Sequence, residues 1–408
     1  MAANAIANLL ERDYQPPKLM SMAMQDNTLT AWMPKDEKGY GDTCVVKFIG
    51  TNSGGSGTTV AQAEASIVDV GGNTASFSWF LHYTSDSVSN VEALKLANTS
   101  GLADLYQTKI KSSMEKHGNV IETMLFGTGD GLLGQIATGG ISGNVVTLTN
   151  ASDAFNFEPG MRITFDDTIT GASPRAITGE GPIVLSVDRG VSTATVTFDD
   201  LGNVTAEAAG DYLFLKSYVN AGIWPGLQQI IPATVPAAGV LFGGLDRGGG
   251  TVDIQTYCGW RYPVAAGQSI VNALTMGLTY GGMFGKGDTV IMSHQKFGEL
   301  IAELGNKVIF DGFVDSKYAI NIAGVKFMGA GRAVTVVPAV KCPNRLVYVL
   351  TRDTWKLRSV QSPLISVATQ TGKYLDESSA DSVKLRWRTL ALPVCREPVR
   401  NGVIVFAS

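Results

Sequence analysis

Between Val91 and Phe126 the apolar residues Leu102, Tyr106, Ile110, Met114, Ile121 and Leu125 recur at intervals of three, four or seven. That spacing places them on one stripe of a helix. Gly101 and Gly118 weaken such a helix without having to break it. A continuous helix of about 36 residues at 1.5 Å per residue is about 54 Å long. This exceeds what a small globular core needs, so the predicted element is a strut packed along one face.

What flanks the strut differs on each side. Residues 1–40 read as an arm, with a short helix from about Ala5 to Tyr14 stopped by Pro16-Pro17, because proline cannot continue a helix. Residues 41–90 change to period two. TCVVKFIG, AEASIVDV and TASFSWFLHY read as strands around the Gly/Ser stretch at 50–59. Together they predict an extended hairpin, which is marginal in water unless it lies on another body. After the strut comes LFGTGDGLLGQIATGG, which holds a literal GxGxxG at 129–134. Dinucleotide binding needs a strand before that motif and a helix after it. Here a helix precedes and glycine-rich coil is expected to follow, so the glycines read as a helix stop.

Residues 135–217 form a distinct zone. VVTLTN, MRITFD, PIVLSVD, ATVTFDD and YLFLK are short strands between turn residues, the pattern of a small barrel or sandwich. Ten acidic residues stand there against four basic ones, while the whole chain carries −4. Asp166-Asp167 and Asp199-Asp200 could hold a cation, but aspartates at turns commonly serve the backbone instead. From Tyr218 onward strands and helices alternate. AGQSIVNALTMGLTYGG and HQKFGELIAELG read as helices, the second capped by Ser293 and closed by Gly305. DTVIMS, NIAGVKFMG and AVTVVPAV read as strands. The last sixty residues hold the β run NRLVYVLTRDTWKLR, an alternating strand VKLRWRTLALPVC, an Asn401-Gly402 turn and a final strand. In that alternation Arg386 and Arg388 face one way and Trp387 the other.

Chemistry is hard to find. There is no GxSxG elbow, HExxH or P-loop. The four cysteines and three histidines are scattered along the chain, so no zinc spacing exists and the thiols read as reduced and mostly buried. No metal, cofactor or catalytic residue is expected. The chain is acidic, which argues against tight DNA binding. No run of about 18 apolar residues offers a membrane span.

The order of arm, long hairpin, strut, compact lobe and returning strands resembles the major capsid proteins of tailed bacteriophages, the Hong Kong 97-like fold. Local stretches add to the resemblance: LFGTGDGLLG after the strut, LFGGLDR followed by CGWR (241–247 and 258–261), CPNRLVYVLTRDTWKLR, and CREPVRNGVIV. The resemblance implies an α+β chain with an N-terminal arm (1–40), an extended loop (41–90) and a peripheral domain with its spine helix (91–134). An inserted β domain (135–217) follows, then more of the peripheral domain (218–284), an axial domain (285–350) and return strands to the peripheral domain (351–408). It implies a structural, non-enzymatic protein that self-assembles as hexamers and pentamers into an icosahedral head around double-stranded DNA, built in the bacterial host cytoplasm and found in the virion. Its partners would be further copies of itself, a portal protein, a decoration protein, DNA by weak non-specific contact, and no membrane. Some members begin with a cleaved scaffolding segment. Loop strands starting near Gly41 leave no room for one, so a separate scaffolding protein or self-sufficient assembly is expected. Some members also join subunits by a Lys–Asn isopeptide bond, for which Lys47 and Asn401 are the candidates. Hinges are expected at Gly54, Gly55 and Gly57 and at Gly127, Gly129 and Gly131. The alternatives are an encapsulin-type nanocompartment shell and a non-capsid virion or surface β protein.

Overall fold

The computed structural model describes residues 27–48, 54–67, 72–89, 91, 101–204, 207–216, 218, 225–248, 253–285, 287–305, 309–315, 320–329, 331–360, 364–367, 375–376 and 382–407. The helix expected at Ala5–Tyr14 lies outside them. The chain is a mixed α+β protein. The strut is a helix over Gly101–Phe126, and the stripe residues Ile110, Met114, Ile121 and Leu125 are all buried. At 1.5 Å per residue its 26 residues span about 39 Å. The sequence-based start at 91 falls among residues mostly outside the description.

The strut lies on a sheet built from opposite ends of the chain. Strand Phe80–Ser89 pairs antiparallel with Ser382–Cys395 over ten consecutive residues, from Phe80↔Ala391 to Ser89↔Ser382. On its other edge the long return strand pairs with Trp355–Ser359 and Ile365–Val367. Trp355–Ser359 is bordered in turn by the two-residue strand Lys35–Asp36, running parallel to it. Trp387 faces the helix, fully buried, and its indole N–H donates to Ser113 Oγ at 2.8 Å. Arg386 and Arg388 are only partly covered, so the alternation read from the sequence is the one observed.

The expected single hairpin over 41–90 is two structures. Thr43–Lys47 pairs with Thr74–Ser78 alone. The uninterrupted pattern TASFSWFLHY breaks at Trp79, and Phe80–Ser89 joins the other sheet. AEASIVDV does not begin as a strand either, since Val60–Ala65 is helical, with Thr59 Oγ1 accepting from Gln62 N. Alanine-rich VAQAEA has good helix propensity, and this outweighs the period-two reading.

The five strands expected between 135 and 217 are present, with one more. The expected glycine-rich coil after the strut is an eleven-residue strand, Leu132–Ser142. It is the third strand of a six-stranded antiparallel sheet ordered Ile163–Asp166, Tyr212–Leu215, Leu132–Ser142, Val145–Leu148, Thr195–Phe198 and Val184–Asp188. Glycines hid this strand. A Cβ on Gly134 would sit tightly, 3.1 Å from Asp153 Cβ, and Gly139 has φ +67°. The bridge Arg162↔Ile183 ties the two outer strands together, which curls the sheet into a small barrel around Phe157, Phe165, Val196, Phe198 and Leu213.

A seven-stranded mixed sheet forms the remaining lobe, with Thr289–Ser293 and Leu346–Leu350 buried along their whole length. Its outer strand Trp260–Pro263 runs parallel to the final strand Gly402–Val405. The sequence reading placed 218–284 and 351–408 in the peripheral domain; of these, Trp355–Ser359 and Ser382–Cys395 lie in the strut's sheet, while Trp260–Pro263 and Gly402–Val405 lie in this one. Trp260, helix Ile270–Gly281 and Ile404 share the lobe core. A Cβ on Gly402 would lie 2.1 Å from Trp260 Cδ2, and one on Gly281 2.3 Å from Trp260 Cζ2. Two glycines thus admit one indole and fix where the last strand goes.

Candidate functional site

Among the described residues no catalytic constellation emerges, and the informative places are joints and outer surfaces. The first joint ties the arm to the strut. Glu122, on the strut, is buried. Its carboxylate accepts from Leu29 N at 2.6 Å, Thr30 N at 2.8 Å and Thr30 Oγ1 at 2.5 Å. It therefore satisfies the free N–H groups that open helix Thr28–Trp32. Burial still raises its pKa above the ordinary carboxylate value, because the hydrogen bonds only partly offset lost hydration. The same helix is held from the lobe: Trp32 Nε1 donates to Thr289 Oγ1 at 3.1 Å, and Arg352 Nε donates to Trp32 O at 3.1 Å. Nothing in the sequence singled out Glu122, although one acid in an otherwise apolar turn (VIETMLF) was a usable signal.

The second joint lies between strut and sheet. The sequence separates the histidines, but the fold stacks His82 on His117 with ring centroids 4.5 Å apart. His117 bridges two adjacent strands, with Nδ1 2.8 Å from Thr84 Oγ1 and Nε2 2.8 Å from Thr389 Oγ1. His82 Nδ1 is hydrogen-bonded to Tyr218 Oη. Desolvation lowers the pKa of His82 to about 4. It also lowers that of His117 well below the usual value, with His82 adding repulsion. The pair is therefore neutral at ordinary pH.

The third joint is Asn401. Its Oδ1 accepts from Thr351 N at 2.7 Å and Trp355 Nε1 at 2.9 Å. Its Nδ2 donates to Thr354 Oγ1 and Glu397 O, each at 2.9 Å. The side chain is fully buried. An amide so enclosed cannot meet a lysine amine without losing four hydrogen bonds. Lys47 is exposed at the end of its strand, on the two-stranded hairpin rather than near this joint, so the two crosslink candidates are not brought together within the chain.

The hinge candidates divide by cause. Gly54, Gly129 and Gly131 have φ of +128°, +83° and +87°, which L side chains rarely adopt. Gly55 and Gly57 are instead packed. A Cβ on Gly55 would meet Ala63 O at 1.9 Å, and one on Gly57 would meet Gln62 Cβ at 2.6 Å. Gly127 ends the strut, its N–H donating to Thr123 O at 3.0 Å. The stretch Gly54–Gly57 is thus a folded tip tied down by Ser56 N donating to Ser66 Oγ at 3.0 Å. Helix Val60–Ala65 buries none of its residues, and Val60 and Ile67 are 74% and 61% exposed.

The cation-site expectation finds its aspartates occupied by backbone. Asp166 accepts from Thr168 N at 2.7 Å and Ser173 N at 3.0 Å, and Asp199 from Ile183 N at 2.7 Å. Among the described residues no group of three or more acidic, histidine or cysteine side chains could hold a metal. All four cysteines are free and buried. A polar cleft of about 570 Å³ separates barrel from lobe, lined by Gln135, Asn150, Asp153, Lys296, Lys341 and Arg345 among others. Burial raises the Asp153 pKa there to about 6. Among the described residues no helix is long and apolar enough to cross a membrane.

No protein-family model matches the chain, and no curated protein does. Solved structures resemble it along most of its length. The capsid asymmetric unit of cyanophage A-1(L) is 14% identical, with 93% of this chain and 92% of that chain covered and a TM-score of 0.46. A structure from Mycobacterium phage Adephagia is 11% identical, covering 100% and 98% at a TM-score of 0.44. The holo-SrpI encapsulin complex of Synechococcus elongatus PCC 7942 is 9% identical, covering 97% and 88% at 0.44.

Proposed function

We propose that this chain is a shell-building structural protein, the major capsid protein of a tailed bacteriophage, and not an enzyme. The observation that carries the reading is the hairpin tip. It is folded by its own hydrogen bonds, yet its helix buries nothing, and Val60 on that helix and Ile67 just after it are exposed. Exposed apolar groups on a built scaffold gain burial on another body. Each copy that receives a neighbour's tip also offers its own, which is how one sequence tiles a closed surface.

In this reading residues 1–40 are the arm, latched by Glu122, and the hairpin of Thr43–Ser78 is the extended loop. The strut with its sheet is the peripheral domain. The barrel from Leu132 to Leu215 is an insertion, and the seven-stranded sheet is the axial domain. Hexamers and pentamers would enclose double-stranded DNA in the virion, with portal, scaffolding and decoration proteins as partners and assembly in the host cytoplasm. A nanocompartment shell enclosing protein is the second reading, favoured by the net charge of −4, which suits a lining that does not have to face a polyanion.

The test is to express the chain alone in bacteria and image the large soluble fraction by electron microscopy. Closed shells, or rings of five and six, support the proposal. Monomers alone, even after co-expression with the neighbouring genes of its source, contradict it. Nucleic acid recovered from particles made with those genes separates a phage head from a protein-filled compartment.

A further inference from the structure

One turn of the strut holds two other parts of the chain. Glu122 accepts three hydrogen bonds from the arm helix Thr28–Trp32. Asn119 stands three residues earlier, on the same face of the strut, and takes the barrel: its Nδ2 donates to Glu158 Oε1 at 2.6 Å. Lys341, from the lobe, meets the barrel at the same place. Its Nζ lies 4.0 Å from that same Glu158 oxygen and donates to Phe155 O. Lys341 follows strand Arg332–Ala339. The arm rests on the end of this strand too, with Thr28 Oγ1 donating to Pro338 O at 3.1 Å. Arm, strut, barrel and lobe thus converge on one helical turn and one strand end.

The charges at this junction do not match one to one. Glu122 and Lys341 are buried and Glu158 is half-buried. A second cation, Arg189, is committed elsewhere: its Nη2 donates to Phe157 O at 2.8 Å and its guanidinium lies over the Phe155 ring. That leaves one amine for two carboxylates. Burial lowers the Lys341 pKa and raises that of Glu122, and each group acts on the other through its charge. A buried carboxylate stripped of its donors is costly. The arm satisfies Glu122, which leaves Lys341 to the barrel. Lys341 lines the polar cleft, as does Thr123 beside Glu122, so its amine has space to turn.

We propose that Lys341 couples the arm to the barrel by serving one of two carboxylates. With the arm docked it clamps Glu158 and Phe155 O. With the arm lifted, Glu122 loses three donors, and Lys341 turns to it and releases the barrel. The coupling is reciprocal, so loosening the barrel frees Lys341 for Glu122 and loosens the arm. It rests on the fold and not on the shell reading.

Hydrogen exchange followed by mass spectrometry on the full chain tests it. Two segments are read, the arm helix at 28–33 and the barrel segment at 151–161, with the buried strand Leu346–Leu350 as reference. Thr30→Val removes one donor to Glu122 and keeps both N–H donors, so the chain should fold. It should speed exchange in the arm about tenfold and in the barrel segment about fivefold, although Thr30 makes no hydrogen bond to the barrel. Glu158→Gln still accepts from Asn119 but gives up the charge that holds Lys341, and it should speed exchange in the arm. In Lys341→Gln, which keeps a donor and loses the charge, Thr30→Val should act on the arm alone. An effect of Thr30→Val confined to the arm in the wild-type background, or one that still reaches the barrel in Lys341→Gln, overturns the proposal. Exchange that rises to the same degree in Leu346–Leu350 would show loss of the whole fold rather than a coupled joint, and contradicts it equally.

Discussion

The seven-stranded lobe and the hairpin at Thr43–Ser78 are both made of Val-, Ile- and Thr-containing strands, yet they spend their apolar residues differently. In the lobe, Thr289–Ser293 and Leu346–Leu350 are covered on both faces, as expected for central strands between packed layers. In the hairpin, Thr43–Lys47 alternates exposed and buried, and the tip helix covers nothing. The lobe completes its core within one chain. The hairpin strands bury Cys44, Val46 and Ala75 within the chain but leave the tip helix uncovered, and in the proposed shell a second copy covers it. Substitutions in the lobe and its joints should therefore register in the monomer, and substitutions at the tip only in the assembly.

The largest monomer effect should come from Asn401→Ala. It takes the Asn401 Oδ1 acceptor away from buried Trp355 Nε1 and from Thr351 N, and an orphaned buried group costs about 1–3 kcal/mol. Denaturant unfolding should show a loss of about 3 kcal/mol or more; a loss below 1 kcal/mol would mean that the joint relaxes. Gly402→Ala should follow, at about 1–3 kcal/mol, because its methyl would enter the Trp260 ring. The same change at Gly54 has open space around it, and its cost there comes only from the positive φ.

The histidine pair sharpens the comparison through pH. His82 has a folded pKa of about 4 against 6.5 for the free side chain, so between those values the unfolded chain binds more protons. Its contribution to stability therefore falls as pH drops from about 6.5 to about 4. Asp153 and Glu122, with raised values, work in the opposite direction in acid. The readout is thus the difference between wild type and His82→Gln. Any advantage of wild type at pH 7.5 should shrink steadily toward pH 4. A difference independent of pH would show that His82 is not held neutral.

Smallest of all should be Lys47→Ala. The Asn401 amide is buried and fully hydrogen-bonded, so the band pattern after boiling particles in SDS should be unchanged. Covalent ladders that vanish with Lys47→Ala would instead require a bond to another residue of a neighbouring copy.

Much of the fold was legible because its signals are local. The strut and the five barrel strands each carry their own periodicity, and Ser293 was readable as a cap, its Oγ accepting from Lys296 N at 3.2 Å. What was missed is non-local. TASFSWFLHY alternates without a break, so nothing in it tells that Trp79 divides two sheets. Leu132–Ser142 looked like coil because its glycines answer to Asp153 and to the turn of a barrel, both distant in sequence. The last strand looked like a partner for the strut's sheet until Gly402 and Gly281 were seen to make room for Trp260. The joints were missed for the same reason. Glu122 acquires meaning only beside Thr30, His117 only between Thr84 and Thr389, and Asn401, read as a turn residue and crosslink candidate, only when Trp355 and Thr351 converge on it.

The central claim is that the hairpin tip is buried on a second copy. Sedimentation velocity of wild type and of the double variant Val60→Asp, Ile67→Asp tests it directly, with each monomer's stability measured alongside. Both changes lie on exposed positions, where substitutions alter stability by about 0.5 kcal/mol or less. The expected result is large, uniform particles for wild type and folded monomers or small oligomers for the variant. Particles of the same size and yield from both chains would contradict the account.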